Sequence, residues 1–260
     1  MIKTKNRIPP SLLAFLVLMV AWVLATMVFK VVTYTFLPSP VDLAEALWSM
    51  RKNLLSACLA SLRITMSGFL IGLTVGLLMG LLMAYSKAFM DTVGPFMEFT
   101  RPIPVFALIP LFMIWFGLGI LPQVFLVALG VMGIIGVQTY EAIKNMPLIY
   151  IRASQNLGAN KKTIFKTVVI PYIIPHLVGA IRVAAATSWG LDVAAEFMGV
   201  QIGLGYNMIV QQMYLNTPGI MVIVLIYCCF AIILDKIIAA IERCLTVWTD
   251  RAVVTFEGIK

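Results

Sequence analysis

Charge is what this chain has least of. Only 12% of its 260 residues are Asp, Glu, Lys or Arg, about half the share of an average soluble domain. The composition is 62% hydrophobic and the mean hydropathy is +1.01. An ordinary soluble domain is excluded, no stretch suggests a separate soluble unit, and the chain reads as an all-α polytopic membrane protein. Histidine occurs once, as His176, with no carboxylate four residues away on either side. A hydrogen bond within the helix bundle is therefore the better reading than a proton relay. The four cysteines, Cys58, Cys228, Cys229 and Cys244, lack zinc-ligand or C-x-x-C redox spacing and read as small apolar filler, so no metal site is expected. The G-x4-G-K-[ST] signature is absent, so the chain does not hold ATP through a P-loop. The net charge of +8 comes mostly from segments flanking apolar runs. That fits anchoring on the inner side of a membrane and gives no reason to expect nucleic acid.

What is present is a series of apolar runs. The basic start MIKTKNR leads into an uncharged run from Ile8 to Phe29, longer than a signal-peptide core. It reads as an uncleaved first span, about Ser11–Val32, with a cytoplasmic N-terminus. Asp42–Asn53, with Leu43, Ala46, Leu47 and Met50 on one face, reads as a short interfacial helix on the outer surface. Span two, about Leu54–Tyr85, carries Gly68, Gly72, Gly76 and Gly80 every four residues. They share one helix face and make a smooth groove for close approach of another helix. The third passage is broken by Pro95, Pro102, Pro104 and Pro110 and ends at a Gly117-Leu118-Gly119 outer turn. A kink at Arg101-Pro102-Ile103-Pro104 frees backbone carbonyls, which a membrane tolerates only beside a cavity or an interface. Spans four to six follow at about Leu121–Ile143, Val169–Phe197 and Gly219–Ile241, with an uncharged outer loop Met198–Pro218 and a charged tail. The expected architecture is one transmembrane domain, 1–260, of about six spans with both termini cytoplasmic.

Between spans four and five lies Arg152–Pro171, RASQNLGANKKTIFKTVVIP, which holds four of the nineteen Lys and Arg residues. So polar and basic a stretch belongs in water on the cytoplasmic side. A short helix from about Leu148 should end at Gly158, whose backbone takes the left-handed turn, and a second should begin near Asn160 and run until Pro171. Two short helices at a fixed angle form a knob that fits a partner's cleft and can push on span five.

The pattern R-A-S-x3-G-x9-V-x-I-P, from Arg152 to Pro171, resembles the E-A-A-x3-G-x9-I-x-L-P loop of ABC importer permeases in the same spacing. Arg152 stands where the family has Glu, and Ser154 where it has Ala. FLPSP at Phe36–Pro40, SLR…GF from Ser61, RPIPVFALIPLFMIWFGLG at Arg101–Gly119 and IGLGY at Ile202–Tyr206 are similar to one subgroup. It comprises the binding-protein-dependent permeases for nitrate, sulfonates, taurine and bicarbonate, with relatives for thiamine-precursor pyrimidines, riboflavin and aromatic acids. The resemblance implies the type I importer permease fold, with a coupling-helix loop at about 144–168. It also implies a bacterial inner-membrane location and an ATP-driven import function without enzymatic activity in this chain. ATP and Mg would sit on a separate ATP-binding subunit, present in two copies, and no cofactor on this chain. An extracytoplasmic solute-binding protein, a second permease copy and the lipid bilayer complete the expected partners. The implied ATPase-coupling residues are Arg152, Ala153, Ser154, Leu157 and Gly158, then Ala159, Asn160, Lys161, Lys162 and Phe165. A small anion such as a sulfonate, taurine or nitrate is the solute the subgroup and the basic pathway residues point to.

Ionisable groups at membrane depth are costly and by default functional. Arg101, with Pro102 and Pro104 beside it, Arg182, Asp192 and Glu196 are accordingly the pathway candidates, Glu196 as an entry gate near the outer end of span five. Arg182 stands ten residues from Asp192 and fourteen from Glu196, so any pairing among them must cross helices. Two other classes compete. An ion-coupled secondary transporter calls for an internal repeat with a midplane ion site, which is not visible. A membrane scaffold accounts for the glycine groove but not for the proline-broken passage or the polar loop.

Overall fold

The computed structural model describes residues 10–29, 33, 35–100, 102–199 and 201–247, and every regular element among them is helical. Helix α1, Pro10–Val23, runs into a π-turn at Leu24–Val28 with nearly all its large side chains exposed, as for a helix facing lipid. The rest of the first expected span, residues 30–32, lies outside the described residues.

Helix α2 spans Pro40–Tyr85, 46 residues, or about 69 Å at 1.5 Å per residue. Ser39 starts it with a capping box: its hydroxyl accepts the Asp42 N–H, and the Asp42 carboxylate accepts the Ser39 N–H at 2.8 Å. The expected interfacial helix Asp42–Asn53 is therefore not separate; it is the first third of α2. No glycine or proline occurs between Val41 and Ser67 to interrupt it. A helix more than twice the ~30 Å thickness of a bilayer core extends beyond it.

The glycine face of α2 meets helix α5, Ile120–Lys144. A Cβ at Gly72 would stand 2.5 Å from the Ala128 carbonyl oxygen, at Gly76 2.7 Å from that of Met132, and at Gly80 2.6 Å from that of Gly136. Backbone therefore lies against backbone along four successive turns, with Val127, Val131, Ile135 and Thr139 filling the groove. Between these two helices the chain forms α3, Lys87–Thr100, then a 3-10 turn at Val105–Leu108 and the short helix α4, Ile109–Phe116. The third passage is thus broken where Pro102 and Pro104 stand.

After α5 come α6, Leu148–Asn156, and α7, Lys161–Ile164, which continues through a π-turn at Phe165–Val169 into α8, Ile170–Gly199. Pro171 does not end the second loop helix, as its position in the sequence suggested. The wider π-turn just before it makes room for the proline ring that would otherwise strike the preceding turn. The uncharged loop before the last span also contains a helix, α9, Leu204–Met213, and α10, Thr217–Leu245, completes the bundle.

Phe69, Val131, Ile135, Leu191, Ile223 and Tyr227 form the main core, so α2, α5, α8 and α10 are packed around one apolar centre. Among the described residues four helical runs are long and apolar enough to cross a membrane: Pro40–Tyr85, Ile120–Lys144, Lys161–Phe197 and Thr217–Leu245. Leu12–Val28 and Val105–Phe116 are shorter apolar stretches, which brings the apolar helical segments to the expected six.

Candidate functional site

At one end of the bundle α6 and α7 form a compact knob. Gly158 takes φ +80°, a conformation glycine adopts without strain. This lets the Gly158 N–H reach the Gln155 carbonyl at 2.9 Å and the Ala159 N–H the Ser154 carbonyl at 3.0 Å, closing α6. Asn160 then opens α7, its Oδ1 accepting the Thr163 N–H at 2.9 Å. Met146, Ile164 and Val169 are buried beneath, packed against Ile151, Phe165 and Tyr172, so the knob has its own small core.

The outward face is apolar at its tip: Leu157 is 87% exposed, with Leu148 and Ile149 also exposed beside Arg152 and Ala153. Ser154 is half-buried and bonds back to the Tyr150 carbonyl at 2.8 Å. Lys162 and Lys166 face solvent. Lys161 does other work. Its ammonium donates to the Tyr85 carbonyl at 2.7 Å and lies 4.3 Å from the Tyr85 ring centre, while Phe165 packs edge-on against that ring at 5.1 Å. Tyr85 is the last residue of α2, so a cation sits at the negative end of that helix and ties the knob to it.

The residues singled out for a pathway do not gather in one place. Arg101 lies outside the described residues, and Pro102 is exposed. Pro104 and Ile103 line a cavity of about 400 Å³ between the proline break, α5 and α8. Gln138 and Thr187 are polar members of a wall that is otherwise mostly apolar. Arg182 pairs with neither Asp192 nor Glu196. It reaches across to α10, with Nη2 3.2 Å from Glu242 Oε2 and Nε 3.5 Å from Asp235 Oδ1. Those carboxylates are seven residues apart, two turns along one face of α10, so one guanidinium spans both. Sequence reasoning did not single out Asp235; the available signal was a carboxylate a few residues inside the end of the last apolar run. His176 bonds to the Tyr172 carbonyl of its own helix through Nδ1 at 2.9 Å and stacks on that ring.

Asp192 and Glu196 sit in the interior of the bundle, 0% and 1% exposed, and neither lines the cavity. Glu196 accepts from Ser61 Oγ of α2 at 2.6 Å and from the Gly205 N–H of α9 at 2.5 Å. The Leu204 N–H in turn donates to Ser61 Oγ at 2.8 Å. Glu196 thus holds the start of α9, where unpaired N–H groups favour a negative partner. The glycines of IGLGY make room for it. Gly203, at φ +134°, would drive a Cβ into the Glu196 carboxylate, and a Cβ on Gly205 would stand 2.9 Å from Glu196 Cβ. Ser61 and the glycines near Glu196 were legible as motif fragments; that they meet was not.

Residues 72–247 match the family of binding-protein-dependent transport system inner membrane components. A probable ABC transporter permease protein of Brucella abortus is 33% identical over 93% of this chain and 96% of its own length. The taurine transport system permease protein of Escherichia coli is 27% identical over 89% of this chain and 86% of its own. Among solved structures, the methionine ABC transporter MetNI in an inward-facing conformation superposes with a TM-score of 0.64 at 23% identity, over 76% of this chain and 98% of the other. At that identity the likeness speaks for the fold, which is that of an importer permease.

Proposed function

The chain belongs to the binding-protein-dependent transport system inner membrane component family, and from that premise we propose that the α6–α7 knob is where a separate ATPase drives it. Membership makes the chain a multi-pass membrane permease subunit of an ABC importer, working with an ATP-binding subunit and a solute-binding protein. In the proposed assembly two copies of the chain pair, each knob sits in the cleft of one ATPase subunit, and ATP and Mg bind there. The knob and both termini face the cytoplasm, and the solute-binding protein docks at the opposite end.

The observation that carries this reading is mechanical. The knob presents Leu157, 87% exposed, at its tip, and α7 runs on into α8 without a non-helical joint. A push on the knob therefore moves α8, which forms one wall of the cavity through Thr187 and Leu191. It also moves α2, to which Lys161 and Phe165 tie the knob. A leucine so exposed at the end of a polar loop is apolar surface that docking in a partner's cleft would take out of water.

For the solute, the taurine permease among the relatives supports a small sulfonate-like anion. The mostly apolar wall of the cavity favours an organic solute over nitrate. A pyrimidine, riboflavin or aromatic acid is the alternative within the same subgroup.

Gly158→Pro tests the coupling role. Proline holds φ near −65° and does not reproduce the +80° that closes α6. The variant should insert into the membrane normally and lose solute-stimulated ATP hydrolysis in reconstituted vesicles. Normal stimulation would refute the docking assignment. Solute uptake by the chain alone, without ATP, would instead favour an ion-coupled carrier.

A further inference from the structure

Ser61 and Thr65 stand one turn apart on α2, and Glu196 and Asp192 one turn apart on α8. The two helices therefore face each other across two polar rungs, with Tyr227 of α10 alongside. The first rung is closed, by the 2.6 Å bond from Ser61 to Glu196. The second is open. Thr65 Oγ1 faces the Asp192 carboxylate without closing a hydrogen bond to it, and Asp192 Oδ1 has no partner either, although both residues are 0% exposed. The Tyr227 hydroxyl stands between the carboxylates and donates to both only at long range, 3.4 Å to Asp192 Oδ2 and 3.5 Å to Glu196 Oε2, leaving Asp192 Oδ1 untouched.

Buried polar atoms are normally partnered, and a buried carboxylate calls for a compensating charge. Among the described contacts of these two carboxylates there is no Lys, Arg or His. Arg182 is ten residues back along the same helix, about 15 Å away, and already engaged with Asp235 and Glu242. Glu196 is fully used by Ser61 and the start of α9. Asp192 is left with an unused oxygen, a facing hydroxyl oxygen and a nearby phenol.

We propose that the open rung is a binding site for one monovalent alkali cation, held by Asp192 Oδ1, Thr65 Oγ1 and the Tyr227 oxygen. All three ligands are hard oxygens, which suit an alkali or alkaline-earth ion and not a thiophilic metal. One free carboxylate matches a single positive charge. A divalent ion wants more anionic oxygens than the rung has to offer once Glu196 is committed. The cation neutralises the point where α2, α8, α9 and α10 come together, and so steadies the seating of α9 on the bundle.

The test uses the full-length permease with its ATP-binding partner, in lipid nanodiscs at one pH and constant ionic strength. Sodium or potassium chloride replaces choline chloride, and thermal unfolding and Trp189 emission are followed; Trp189 packs edge-on against Tyr227 at 6.0 Å. Sodium at about a hundred times its Kd should raise the midpoint by about 5–10 °C. Asp192→Asn should remove that rise, and so should Thr65→Val, which keeps the side-chain shape if the asparagine variant folds poorly. Arg182→Lys should retain it. No difference between choline and either alkali ion overturns the proposal, because a site filled by water or a proton gives no ion-specific shift. A full sodium response in both Asp192→Asn and Thr65→Val overturns it as well.

Discussion

At the residue scale, three charged side chains join helices. Lys161 fastens the knob to the end of α2, Glu196 fastens α9 to α2 and α8, and Arg182 fastens α8 to α10. Arg182 and its two carboxylates are only partly shielded, with side-chain exposures of 40%, 54% and 31%. The clamp is therefore worth about 1 kcal/mol and not the several of a buried pair. Arg182→Gln should lower the unfolding midpoint by about 2–4 °C, and Arg182→Lys by less. A midpoint unchanged in the glutamine variant would mean that the ion pairs contribute nothing to holding α8 on α10. Arg182 shows how far sequence reasoning reached: its need for a partner on another helix followed from spacing. The partners did not, because Asp235 and Glu242 are brought within reach by the crossing of α8 and α10.

At the level of elements, the α2–α5 contact dominates. Four glycines at one spacing announce a groove, and the structure supplies the helix that fills it, in a matching four-residue series on α5. Gly76→Leu should be among the most damaging changes, since its Cβ alone would stand 2.7 Å from the Met132 carbonyl and 3.1 Å from the Gly136 nitrogen. Backbone cannot rotate aside as a side chain can. Overpacking of this kind costs about 1–3 kcal/mol or more, so folded yield and the thermal midpoint in detergent should both fall. Gly133→Ala, on the same α5 but with nothing within 4 Å of the added carbon, should leave both unchanged. An unaffected Gly76→Leu protein would mean that the helices separate easily at this point.

For the whole molecule, the two ends of the bundle differ in kind. One carries the polar knob, tipped by Leu157; the other carries the uncharged α9–α10 connection, where Met213, Tyr214 and Leu215 are 77%, 78% and 70% exposed. The proposed orientation places them on opposite sides of the membrane. In a background with the four cysteines replaced and the ATP-binding subunit absent, Leu157→Cys should react with an impermeant thiol reagent only in inverted vesicles, and Tyr214→Cys only from outside intact cells. The reverse pattern would refute the orientation and with it the docking of an ATPase at the knob.

The sequence alone determined that this is a helical membrane protein, where its apolar runs lie, where the third passage breaks and where the polar loop turns. Each of these depends on local chemistry: hydropathy over a window, a missing N–H at proline, a positive φ at Gly158. Continuity across residues 53 and 54 and through Pro171 was misread because breaks were inferred from changes in polarity and from proline. A capping box with an uninterrupted helical stretch in one case, and a π-turn in the other, kept the helix going. Only the tertiary structure decided which helix fills the glycine groove, which carboxylates hold Arg182, and that Asp192 and Glu196 face Thr65 and Ser61 in the interior. Those outcomes depend on how helices distant in sequence cross, and a pairing 135 residues apart, such as Ser61 with Glu196, leaves no local trace.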